Sequence, residues 1–195
     1  MTSVLVVATR NPGKASEIRQ MLGEHVQVKT LADYPDIPDV IEDGETFEAN
    51  ASKKALEIAL KLNVPVLADD SGLEVDALGG RPGVHSARYG GADLPHSEKV
   101  KLLLSELLGV PDAQRTARFV CVMAYAAPNG KVETRHGTIE GRINHAPVGD
   151  NGFGYDPIFF VPEKGCTTAQ LTPEEKNGIS HRGRALREIL RLLFV

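Results

Sequence analysis

Two adjacent carboxylates, Asp69 and Asp70, follow the apolar run 64–68 and precede Ser71-Gly72. That puts acids at the end of a buried strand, where α/β proteins tend to place ligands. Successive strand side chains point to opposite faces, so at most one of the pair reaches a given site directly. A second acidic pair, Glu42-Asp43, stands just before a helix that begins near Thr46. Carboxylates from two separate segments, with cations at hand, fit a Mg2+ ion completed by substrate oxygens and water. Acidic capping of the helix is the competing reading of Glu42-Asp43.

The cations come from three places. Thr9-Arg10-Asn11-Pro12-Gly13-Lys14 sets a hydroxyl, an amide, a glycine and a lysine between strand and helix, a composition suited to meeting a phosphate at helix-terminal N–H groups. It lacks the spacing of a P-loop, and an ordinary strand-to-helix turn is its bland reading. On the helix from Thr46, Phe47, Ala51, Ala55, Ile58 and Leu62 form the inward stripe. Lys54 falls within roughly 20° of Phe47, beside Asn50, whereas Lys53 points away. Lys54 either snorkels to solvent or reaches a phosphate. Finally, Ser180-His181-Arg182-Gly183 opens an amphipathic helix with Leu186, Ile189, Leu190 and Leu193 on one face. Consecutive His and Arg at the positive end of a helix dipole cost stability unless something anionic or polar sits there.

One further stretch suits a flat ligand. In Gly149-Asp150-Asn151-Gly152-Phe153-Gly154-Tyr155-Asp156-Pro157, glycines flank Phe153 and let backbone approach closely. An exposed ring there can stack on a base; a structural turn with Phe153 in the core is the alternative.

The elements that must position these residues alternate between strand and helix. Val4 to Ala8 reads as a buried strand, followed by a helix carrying Ile18, Met21 and Leu22, then a strand at 26–31. A Pro- and Asp-rich connection, 32–44, leads to the helix 46–62 and a strand at 64–68. A helix spans about 96–108. Two β-rich runs, 118–127 and 131–139, flank Pro128-Asn129-Gly130, a strong hairpin signal. A short strand at 158–161 precedes the last helix. The expectation is an α/β protein with a long mixed sheet flanked by helices: one domain, with two lobes around a cleft.

Composition narrows the partners. The chain has 195 residues, 42% hydrophobic and 25% charged, with a net charge of −4. That balance argues against nucleic acid or an anionic membrane as partner. No apolar run reaches the roughly 18 residues of a membrane span, and Met1 to Ala8 shows no cleavage site, so a cytoplasmic protein is expected. Cys121 and Cys166 stand outside any metal-ligand spacing and read as free thiols.

Six stretches, in this order along almost the whole chain, resemble the inosine triphosphate pyrophosphatase family. They are Thr9 to Lys14, Thr46-Phe47-Glu48-Ala49-Asn50-Ala51, Ala68-Asp69-Asp70-Ser71-Gly72-Leu73, Gly83-Val84-His85-Ser86-Ala87-Arg88-Tyr89, Gly152 to Pro157, and Glu174-Glu175-Lys176-Asn177 with Ser180-His181-Arg182. The resemblance implies hydrolysis of deaminated purine nucleoside triphosphates (XTP, ITP, dITP) to the monophosphate and pyrophosphate, by a homodimer that uses Mg2+. It implies that Thr9, Asn11, Lys14, Lys54 and Lys176 hold the triphosphate, with Arg10, Pro12 and Gly13 completing that loop. Glu42 and Asp70 would hold Mg2+, with Asp70 also activating water, and Asp69 and Ser71 would support them. Phe153 would stack on the base beside Gly154, while Tyr155, Asp156, His181 and Arg182 line its edge.

Base preference has its own rationale. Hypoxanthine and xanthine present a 6-oxo acceptor, adenine a 6-amino donor, so donors from His181 or Arg182 reject adenine by roughly 10⁴-fold. Two other functions compete: a broader Mg2+ phosphohydrolase that also takes pyrimidine triphosphates, and a nucleotide-binding regulator. The regulator has no need of a water-activating carboxylate.

Overall fold

The computed structural model describes residues 3–193. Seven strands hydrogen-bond in the order β2-β1-β3-β4-β5-β6-β7, numbered along the chain. β1 (Ser3–Val7) lies parallel to β2 (Val26–Thr30), with Val7 opposite Thr30, and parallel to β3 (Val66–Val75), with Val7 opposite Leu67. Helices α1 (Pro12–Leu22) and α2 (Phe47–Leu62) supply the crossovers that such parallel neighbours need. β4 (Thr116–Ala126) and β5 (Val132–Ile143) flank the expected Asn-Gly turn, where the Ala127 N–H donates to the Lys131 carbonyl at 2.9 Å. β5 then pairs antiparallel with β6 (Phe159–Val161), and β6 with β7 (Cys166–Thr167). The mixed α/β sheet read from periodicity is therefore present.

The chain forms two compact units. The first comprises residues 1–70, 121–137 and 182–195, and the second residues 71–120 and 138–181. In the first, Val7, Ile18, Leu67, Cys121 and Met123 pack with Ala185, Leu186 and Ile189 of α5 (His181–Leu193). The α5 stripe is thus as expected; the side chain of Leu193 lies outside the described residues. In the second, α3 (His96–Glu106) supplies Val100 and Leu103, and these pack with Leu73, Val75, Phe119, Ile139 and Phe159.

Three features differ from the sequence reading. β3 does not stop at Ala68 but continues to Val75, so Asp69 and Asp70 lie within a strand rather than at its end. Isolated acids are poor strand residues, but buried pairing, described below, makes these two tolerable. A short helix, α4 (Pro173–Ile179), and the two-residue β7 were not anticipated. α4 carried a legible start signal, because Thr172 and Glu175 form a capping box around Pro173 at its first turn. Among the described residues no helix is long and apolar enough to cross a membrane. Both cysteines are free thiols.

Candidate active site

The first unit gathers the charged residues. Asn11 caps α1, its side-chain oxygen accepting from the N–H groups of Gly13 and Lys14 at 2.9 and 3.2 Å. Pro12 occupies a first-turn position that has no intrahelical N–H bond to lose. The Thr9 hydroxyl accepts from the Asn11 N–H at 3.1 Å, fixing the turn between β1 and α1. No acidic residue stands in the first turn of α1, so the positive helix end is balanced from elsewhere: Lys14 reaches Asp69 of β3 at 2.9 Å.

Arg10, expected among the substrate-binding residues of this loop, makes three contacts within the first unit. Its guanidinium donates to Asp39 at 2.7 Å, to the Leu31 carbonyl at 2.8 Å and to the Ile37 carbonyl at 2.6 Å. It therefore latches the long connection that carries Glu42. That connection docks on α2: Glu42 pairs with Lys54, and Asp43 with Lys53 at 2.6 Å. Thr46 caps α2 by accepting from the Ala49 N–H, so Glu42-Asp43 is no helix cap. Lys54 is only 11% exposed. Burial disfavours its charge, but Glu42, Asp69 and Asp70 more than offset this and raise its affinity for the proton.

Asp69 and Asp70 are neighbours with opposite proton affinities. Burial pushes the Asp69 carboxyl up, yet Lys14, Arg182 and Lys54 together hold it well below the usual carboxylate range. Asp70 is pushed up by burial; Lys14 and Lys54 oppose this, and Glu42 reinforces it. Asp69 is thereby a fixed anion, and Asp70 beside it holds a proton more readily than an ordinary carboxyl. Arg182 donates twice to one Asp69 oxygen, at 3.0 and 3.1 Å, and also pairs with Glu17 of α1. It is 2% exposed. Its guanidinium is thus engaged by two buried carboxylates. The misplaced cation at the start of α5 is balanced from within the unit.

The second unit gathers the aromatic residues. Gly152 takes φ +76°, and a Cβ there would sit 2.1 Å from an Asp156 oxygen. In the turn it opens, the Phe153 N–H donates to Asp156 at 2.8 Å, and Lys176 of α4 pairs with the same carboxylate. The Lys176 ammonium also lies 5.0 Å from the Phe153 ring centre, a cation–π distance. Thr168 donates to Asp156 at 2.8 Å. Asp156 therefore braces this turn, and Lys176 sits with Phe153. Phe153 is half-buried, which leaves ring surface for stacking. Tyr155 is a core residue, and its hydroxyl donates to the Ser86 carbonyl at 3.1 Å. His181 is buried and stacks on Phe119, with ring centres 4.9 Å apart. Ser71 and Gly154 are half-buried.

The first unit's set suits a divalent cation. Glu17, Glu42, Asp69 and Asp70 carry one more charge than Lys14, Lys54 and Arg182. Among the described residues no three His, Cys, Asp or Glu side chains converge on a metal position. Mg2+ needs no such cage, since one or two carboxylates with phosphates and water complete its octahedron.

Reading residues alone missed Glu17, Asn50 and Thr168. Asn50 had a signal, a polar side chain on the buried stripe of α2, and it is 1% exposed. Glu17 lies three residues after Lys14, on the helix that reaches Asp69. Thr168, in a short loop turn, had none.

An α/β sheet carrying oppositely poised carboxylates among lysines defines a phosphate-handling enzyme class. Comparison with known proteins makes this specific: residues 5–192 match the Ham1 family model, and the chain belongs to the Ham1 family. It is 53% identical over 182 residues to the dITP/XTP pyrophosphatase of Shouchella clausii, covering 93% of this chain and 92% of that protein. It is equally 53% identical over 186 residues to the dITP/XTP pyrophosphatase of Geobacillus kaustophilus, covering 95% and 91% of the two chains. A solved HAM1 protein from Coxiella burnetii superposes with a TM-score of 0.88 at 40% identity, covering 98% of each chain.

Proposed function

We propose that this chain hydrolyses deaminated purine nucleoside triphosphates (ITP, dITP and XTP) to the nucleoside monophosphate and pyrophosphate. This clears them from the nucleotide pool before they enter DNA or RNA. The supporting observation is the Asp69–Asp70 pair in a Ham1 chain: a fixed anion beside a proton acceptor, with Lys14 and Lys54 acting on both. Asp70 accepts a proton from the attacking water, and that water's oxygen bonds to the α-phosphorus while the bond to the pyrophosphate oxygen breaks. Lys14, Lys54 and the N–H groups of the Thr9–Lys14 turn hold the phosphates and take up charge on the leaving group. Glu42 and Asp70 would hold Mg2+, which when bound neutralises phosphate charge and lowers the pKa of bound water.

In the second unit Phe153 provides the stacking face for the base, Lys176 and Asp156 brace it, and His181 supplies a donor for the 6-oxo group. Arg182 and Tyr155 act behind these contacts as framework. A homodimer in the cytoplasm accompanies this reading, supported by the family resemblance, and sedimentation velocity tests the dimer. Supplying ITP, dITP, XTP, GTP, ATP and dUTP with Mg2+, and assaying pyrophosphate separately from orthophosphate, tests the activity. Pyrophosphate from the deaminated purines is the expected result. Orthophosphate or a flat base preference supports the broader phosphohydrolase, and binding without turnover the regulator.

A further inference from the structure

The connection 32–44 must present Glu42 at a fixed distance from Asp70, yet it holds no helix or strand beyond a short turn at its start. Three side chains of α2 grip it: Lys54 on Glu42, Lys53 on Asp43, and Asn50 on Gly44. The first two are ion pairs. The third is a two-point clamp, in which the Asn50 carbonyl oxygen accepts from the Gly44 N–H at 2.8 Å and its amide donates to the Gly44 carbonyl at 3.3 Å. The Asn50 amide also favours the Asp70 carboxylate, lowering that group's affinity for the proton. One nearly inaccessible amide therefore ties the segment bearing Glu42 to α2 at two points. The fit is close on the other side too, because a Cβ on Gly44 would lie 2.7 Å from the Asn50 oxygen and 3.0 Å from the Ala49 methyl.

We propose that Asn50 is a positioning residue that sets the separation of Glu42 and Asp70, with Gly44 kept small so that the clamp closes. The inference rests on the reading of these two carboxylates as Mg2+ ligands. Partners in contact with metal ligands typically control affinity by about 10–100-fold. The clamp is a neutral hydrogen-bonded contact, so salt that weakens the flanking ion pairs leaves it in place.

The test is Mn2+ binding by the full-length, nucleotide-free protein, read by electron paramagnetic resonance, in wild type, N50L, G44A and E42Q. Circular dichroism checks each fold. N50L removes the amide, whereas G44A keeps every functional side chain and only displaces the loop, so G44A carries the test if N50L does not fold. The expected result is Mn2+ affinity reduced roughly 10–100-fold in N50L and G44A. In turnover assays the Mg2+ requirement should rise in the same variants, while KM for ITP at saturating Mg2+ holds. Unchanged Mn2+ affinity in both, alongside a loss in E42Q, overturns the role of Asn50 and leaves the ligand assignment standing. Unchanged affinity in E42Q overturns the ligand assignment, and this inference with it.

Discussion

The first unit's charged cluster and the second unit's aromatic turn both contain a lysine on a buried aspartate, Lys14 on Asp69 and Lys176 on Asp156. They use it differently. In the first unit Asp69 is shared between Lys14 and Arg182, Arg182 between Asp69 and Glu17, and Asp70 is buried within reach of Lys14, Lys54 and Glu42 together. In the second unit Asp156 is consumed by Lys176, Thr168 and the Phe153 N–H, and what remains for a ligand is a half-buried ring. The first arrangement keeps charge available for chemistry. The second spends its charge on shape. A buried aspartate held by a lysine can therefore stay part of a wider charge network or be saturated by local donors.

Three substitutions, and two more read across pH, probe that contrast. D70N should do most, lowering kcat by about 10²–10⁴-fold with KM for ITP little changed, as read by pyrophosphate release. A proportionate rise in KM instead would make Asp70 a binding residue and erase the distinction. R182M should leave Asp69 and Glu17 short of a buried partner and destabilise the protein by about 3–5 kcal/mol in urea unfolding. Its residual kcat/KM should fall alike for every base; loss confined to 6-oxo substrates returns the guanidinium to the base edge. F153A removes the stacking face and should raise KM by roughly 5–150-fold while sparing kcat, a change equivalent to 1–3 kcal/mol. A kcat effect as large as that of D70N would show that the ring serves the chemistry.

The pH dependence of stability should separate the units more gently. Asp69 is held well below the usual carboxylate range when folded, against about 3.9 unfolded. Its contribution is therefore present above about pH 4 and lost as pH falls toward the folded value. D69N should flatten the acid side of the stability curve measured by urea titration. In the second unit, burial and a hydrogen bond to Glu106 push Tyr89 up to about 12, against about 10 unfolded. That contribution is complete below about pH 10 and lost as pH rises through the folded value. Y89F should remove this alkaline loss, the smallest of these effects. A Y89F curve unchanged at high pH would show that Tyr89 gains nothing from its place.

Periodicity alone made most elements legible, because burial imposes it directly. The α5 stripe of Leu186 and Ile189 and the α2 stripe of Phe47, Ala51 and Ile58 are buried where spacing put them. The candidate site was legible as a set of misfits: acids after an apolar run, a lysine on an apolar stripe, basic residues at a helix start. The partner that makes each misfit tolerable was not legible. Glu17 and Arg182 are separated by 165 positions, and Arg182 and Asp69 by 113, distances over which no local pattern carries information. The length of β3 was missed for the same reason. Two aspartates end a strand by local preference, and only Lys14 and Arg182, brought in by α1 and α5, allow the strand to continue.

The sequence by itself determined the fold class, the family and the inventory of chemical groups, since these follow from burial periods, turn residues and residue types at fixed spacing. Tertiary structure alone decided which groups are spent and which stay available. It turned Arg10 into a latch, Arg182 and Asp156 into braces and Asn50 into a clamp. Proton affinity and hydrogen-bond capacity depend on what lies a few ångströms away in space, and the chain order of this protein does not contain that distance.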